Sequence, residues 1–116
     1  MKSISILAAA AGIAFALIAV EASAQDMGDA KKGGEFARMV CAECHAVNAD
    51  QTRSPNAKAP AFAAVSKTSG MTEMALRTWL QTSHPTMPNL VLKVEERDDV
   101  VAYILSLKGG KPRVGL

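Results

Sequence analysis

Aromatic side chains are scarce in this 116-residue chain, which has one tryptophan, one tyrosine and three phenylalanines, and only two cysteines and two histidines. So few large rings leave little to fill a core, and two cysteines make at most one disulfide. A small domain stapled by several bridges is therefore excluded. Charge of one sign is also lacking. The formal net charge is +2, with no basic stretch to track a phosphate backbone, so nucleic acid is not an expected partner. There is no run of alternating apolar and polar residues to read as a strand, no internal repeat, and no apolar run near the roughly 20 residues needed to cross a bilayer. The length suits one domain and excludes a multidomain enzyme. A domain of this size buries only roughly 60 to 65% of the surface its unfolded chain exposes, so a metal or prosthetic group is a plausible part of its core.

Apolar residues are concentrated at the start, where Met1–Ala24 holds 18 of them. Lys2 supplies a positive first region, Ile6–Val20 is a 15-residue apolar run, and Ala22-Ser23-Ala24 places small residues where a signal peptidase reads. The expectation is a secretory signal peptide over residues 1–24, cut before Gln25, with a domain over 25–116. An apolar run this short, rich in alanine, is not expected to remain inserted in a membrane. No cysteine follows the cut to carry a lipid, and no twin arginine precedes it. The implied destination is an oxidising compartment, most simply a bacterial periplasm.

Beyond Gln25 the pattern is all-α, with three main helices separated by loops. Asp29 is placed to cap the first, whose apolar positions Phe36, Met39 and Val40 lead to Cys41. Gly33 and Gly34 each cost that helix about 1 kcal/mol relative to alanine, and such a pair points to close backbone approach. The second helix is expected over Met71–Gln81 with Thr72 as its cap and Met74, Ala75, Leu76, Trp79 and Leu80 as its apolar set. The third begins near Val94 or Glu95, with acidic residues in its positive first turn. Val100, Val101, Ile104, Leu105 and Leu107 form its buried stripe, and Gly109-Gly110 with Pro112 stop it. Two irregular loops remain: the polar stretch Asn48–Pro60, and Ser83–Asn89, which gathers His84, Pro85, Met87 and Pro88.

The chemistry lies in Cys41-Ala42-Glu43-Cys44-His45. Two thiols three residues apart stand on one side of a helical turn, suited to forming thioethers with the two vinyl groups of one haem, while His45 follows on the same side to meet the iron. Three other readings fit less well. A thioredoxin-like redox pair would follow a strand, whereas a helical pattern precedes Cys41. Zinc on Cys41, Cys44, His45 and His84 would need adjacent residues at two corners of one tetrahedron. A disulfide between the two cysteines would close a tiny loop, for little entropic gain.

At these residues the chain resembles the class I cytochromes c in their small bacterial form. The likeness covers residues 28 to 108: Gly28-Asp29, Gly33 and Phe36 before the box, Ala59-Pro60 after it, Thr78-Trp79-Leu80, Met87-Pro88, and Tyr103-Ile104-Leu105-Ser106-Leu107. It implies three helices and their loops wrapped around one covalent haem c. It also implies that Pro60 lends its carbonyl to the His45 ring, that Met87 is the second axial ligand, and that Trp79, otherwise a core residue, packs beside the haem. Ala59 stands where glycine is common, and His84 is an additional ligand candidate. Met87 is favoured over Met27, Met39, Met71 and Met74 because it sits in a loop between prolines. Tyr103 is expected to press against the backbone of Gly33, where the first and last helices cross.

The function implied is that of a periplasmic monohaem one-electron carrier between a redox donor and an acceptor, and not an enzyme. A dedicated haem subunit of a dehydrogenase or oxidase is the alternative, followed by a haem sensor or peroxidase with a labile sixth ligand. One box excludes a di-haem protein. Lys58, Lys67 and Lys93 are the lysines placed to steer a partner with an acidic face.

Overall fold

The computed structural model describes residues 28–109, so the expected signal peptide over residues 1–24, Met27, and the Gly110 and Pro112 stop signals lie outside the described residues. Among those described, every regular element is helical. α1 spans Ala30–Phe36 and runs directly into a wider π-helical turn, Ala37–Cys41. α2 (Phe62–Lys67), α3 (Glu73–Gln81) and α4 (Val94–Ser106) follow, and α4 closes in a 3-10 turn, Leu107–Gly109.

Two helix starts are set by the side chains expected to cap them. The Asp29 carboxylate accepts from the backbone N–H of Lys31 (2.9 Å) and Lys32 (3.2 Å). The Thr72 hydroxyl accepts from Ala75 N–H (3.2 Å) and starts α3. At α4 the Glu96 carboxylate reaches back to the N–H of Lys93 (3.0 Å), one half of a capping box, and Glu95 joins it in the positive first turn.

α1 and α4 form the main crossing, and glycine permits it. A Cβ on Gly28 would collide with the Asp98–Asp99 peptide, and one on Gly33 with the Asp99 carbonyl. Asp99 also ties the crossing from α4, its carboxylate accepting from Asp29 N–H at 2.6 Å. Tyr103 presses on Gly33 as expected, through its Cβ, which stands 2.9 Å from the place of a Gly33 Cβ, while the edge of its ring lies over Gly34, whose Cβ would stand 2.9 Å from Cε2. One residue is about 100° of helix, so the ring and the backbone contact divide between adjacent glycines.

The core gathers Ala37, Val47, Phe62, Leu76, Val100, Val101, Tyr103, Ile104 and Leu107. Aliphatic side chains buried this fully contribute roughly 1.5–3 kcal/mol each relative to exposure. α1 buries its small residues Gly33 and Gly34, and the π turn buries Ala37 while carrying Met39 and Val40 off the seam into solvent. α3 sends Leu76 inward and is tied to α4 through Arg77, which pairs with Glu73 (2.7 Å) in its own helix and with Asp98 (3.3 Å) across the gap. α2, a fourth helix not expected, docks through Phe62 and Ser66.

Candidate functional site

The π turn delivers the cysteines. Ala42 N–H bonds to the Ala37 carbonyl (2.9 Å), skipping one residue more than an α-helix does, and the chain then tightens as Cys44 N–H (3.1 Å) and His45 N–H (2.9 Å) both return to the Cys41 carbonyl. Cys41 and Cys44 are therefore one turn apart, unpaired and half-buried. Burial pushes the Cys41 thiol up to about 11, so it is protonated at neutral pH. A redox nucleophile requires the opposite shift, whereas a thioether is neutral and suits a dry site. Among the described residues no three His, Cys, Asp or Glu side chains converge as a metal centre would need, so Cys41, Cys44, His45 and His84 do not assemble a zinc site.

His45 is held in one orientation. Its Nδ1 lies 2.7 Å from the Pro60 carbonyl. A carbonyl only accepts, so Nδ1 carries the proton and donates, leaving the lone pair on Nε2 free for a metal. The ring also packs on Phe62, with centroids 5.2 Å apart and planes tilted by 46°. Phe62 is in turn fixed by its N–H to the Ala46 carbonyl (2.9 Å). Asn56 N–H reaches the Cys44 carbonyl (3.1 Å), and Ala46 N–H reaches the Ser54 hydroxyl (2.9 Å), so the loop after the box is fastened to it. Ala59 fills its turn without a left-handed backbone, since Thr86 is the sole positive-φ non-glycine among the described residues.

A second group lies where α3 ends. Trp79 is 54% exposed and takes no part in the buried protein core. α3 is anchored through Leu76, and Trp79, three positions further on, projects from the flank. It meets His84 edge to face, with centroids 5.5 Å apart and planes at 82°. His84 Nδ1 donates to the Thr82 carbonyl (3.1 Å). With Met74 and the threonines at 72, 78 and 82, Trp79 lines an open hollow of about 530 Å³. Met87 is half-buried in the following loop, its N–H reaching the His84 carbonyl at 3.3 Å.

The structure thus joins Cys41, Cys44, His45 and Pro60 in one cluster and Trp79, His84 and Met87 in another. Among the described residues no hydrogen bond or ring contact links the two. Sequence reasoning missed Phe62, although a lone phenylalanine just after Ala59-Pro60 was a usable signal. It also missed Val47, whose carbonyl receives the buried Tyr103 hydroxyl at 2.7 Å and so ties the chain beyond the box to α4. Lys58, Lys67 and Lys93 are exposed.

The donor set fits a covalently held haem: two thiols one turn apart, an imidazole with Nε2 free, and a thioether side chain in a loop. The family model described as Cytochrome c matches residues 30–108. The chain is 34% identical over 98 residues to Cytochrome c-552 of Bradyrhizobium diazoefficiens, a match covering 84% of this chain and 93% of that protein. No solved structure matches.

Proposed function

The chain belongs to the cytochrome c family, whose members carry covalent haem c and transfer electrons, and on that premise we propose that it is a periplasmic carrier with histidine and methionine as axial ligands. The observation that supports this most directly is the His45–Pro60 hydrogen bond, which fixes the imidazole tautomer that ligation requires. Bound haem supplies an iron that alternates between ferric and ferrous states with no substrate bond broken. Cys41 and Cys44 would hold the group as thioethers, and His45 Nε2 and the Met87 sulfur would be the donors to its iron. Methionine sulfur favours the ferrous state, and a dry surround disfavours the extra positive charge of the ferric one, so the potential is high for a haem protein. Trp79 offers its exposed face to the group. Export through residues 1–24 places the carrier where its donor and acceptor are other redox proteins. No helix among the described residues is long and apolar enough to cross a membrane.

A second reading, a haem subunit held permanently by a dehydrogenase or oxidase, is favoured by the exposed run Leu90, Val91 and Val94, with Val91 92% exposed, next to the Met87 loop. Absorption spectra of purified holoprotein in both oxidation states test the ligation. Met87→Ala should abolish the weak sulfur-to-iron band and lower the potential, and His84→Ala should preserve both. Loss of native ligation in His84→Ala would assign the site to His84 instead. Copurification of a stoichiometric partner would favour the subunit.

A further inference from the structure

Thr86 has φ +74°, a left-handed backbone that a β-branched residue rarely adopts. It stands between Pro85 and Met87 in a turn closed by Met87 N–H on the His84 carbonyl at 3.3 Å. Proline second and a positive φ third define a type II turn, whose third position ordinarily belongs to glycine or asparagine. Both flanks hold the turn in place. On one side His84 is tied to the end of α3 through the Thr82 carbonyl and rests against Trp79. On the other, Leu90 N–H returns to the Pro88 carbonyl at 2.8 Å. Strain of this kind persists only where the surroundings over-determine it, and it is relieved when the segment opens.

We propose that Thr86 is a positioning residue whose strained backbone makes Met87 a releasable ligand. The proposal rests on the reading of Met87 as the second axial donor. Closing the turn brings the Met87 side chain into its working position, and opening it lets Thr86 return to an ordinary backbone. Part of what Met87 gains by ligation is therefore spent on Thr86, and an external donor competes for the sixth position more easily than it would against an unstrained loop. Glycine or asparagine at position 86 removes the penalty, whereas valine, equally branched but without the hydroxyl, retains it.

The test is a titration of ferric holoprotein with imidazole, following loss of the sulfur-to-iron band, for the wild type, Thr86→Gly, Thr86→Asn, Thr86→Val and Met87→Ala. The glycine and asparagine variants should bind imidazole about three- to tenfold more weakly than the wild type, the range expected for relieving one strained residue less the added freedom of glycine. Thr86→Val should stay within about twofold of the wild type, on the same reasoning that branching sets the penalty. Unchanged affinity in both Thr86→Gly and Thr86→Asn overturns the proposal. So does a valine variant that moves with them, since the hydroxyl would then be responsible. If Met87→Ala lacks the band while the position-86 variants are unchanged, the ligand assignment stands and only the role of Thr86 fails. If Met87→Ala retains the band, both fail together.

Discussion

Replacing Gly33 with alanine sets two opposing effects against each other. By helix propensity alone the substitution stabilises α1, since alanine is favoured over glycine in a helix interior by roughly 0.5–1 kcal/mol. At this crossing, however, the new methyl group falls on the Asp99 carbonyl, with the Tyr103 Cβ 2.9 Å away. The obstruction is mainly backbone and cannot rotate aside, so α1 and α4 must separate. Overpacking of this kind costs typically 1–3 kcal/mol, and an immovable neighbour argues for the upper part of that range. The net expectation is a loss of about 2 kcal/mol, or about 8–16 °C in melting temperature for a domain of this size. Gly34→Ala is the matched control: its methyl group meets the edge of the Tyr103 ring at 2.9 and 3.0 Å, a side chain that can tilt, so the loss should be smaller. Thermal melts of the holoproteins by far-ultraviolet circular dichroism measure both. A Gly33→Ala protein that melts at or above the wild-type temperature would refute the packing argument.

Two further substitutions probe the core and the surface. Tyr103→Phe removes the hydroxyl that donates to the Val47 carbonyl and leaves that carbonyl unpaired, costing about 1–3 kcal/mol in denaturant unfolding. Burial raises the Tyr103 hydroxyl above its ordinary 10.0, partly opposed by Arg38, so the folded state holds this proton more tightly than the unfolded one. The contribution is complete below pH 10.0 and is lost as the pH rises past it, and Tyr103→Phe should flatten that alkaline decline. If a local basic patch steers a partner with an acidic face, the second-order transfer rate should fall with salt as the Debye length shrinks to about 10 Å at 0.1 M. Lys58→Glu or Lys93→Glu should weaken that dependence at nearly constant potential, and a rate indifferent to salt would point to an apolar contact.

Local signals were legible wherever the chemistry was local. Asp29, Thr72 and the acidic start of α4 mark helix starts because a cap acts within three residues, and the cysteine–histidine box is read from spacing alone. The bond from His45 to Pro60 came from family likeness, since it spans a loop that spacing cannot close. What stayed hidden depends on neighbours distant in the chain. α2 is six residues long, too short for a periodic pattern to emerge. The apolar set of α3 covers more of the helix than one face can bury, and only the position of α4 selects Leu76 over Trp79. The division of Tyr103 between Gly33 and Gly34 is a matter of helix phase, as is the π turn that leaves Met39 exposed.

The fastening of the chain after the box bears on how the domain could be wired into larger proteins. The segment from Val47 to Ala59 is attached mainly near its ends and at Ser54 and Asn56, while Thr52 and Arg53 are exposed and neither makes a side-chain hydrogen bond among those the structure records. Lengthening such a loop costs slowly, about 0.6 kcal/mol for each doubling. A tether, or a whole second domain whose termini lie close together, can therefore enter between Thr52 and Arg53 without disturbing the bonds that orient His45. The same electron-carrying unit would then serve as the host of an inserted domain as readily as a free-standing chain.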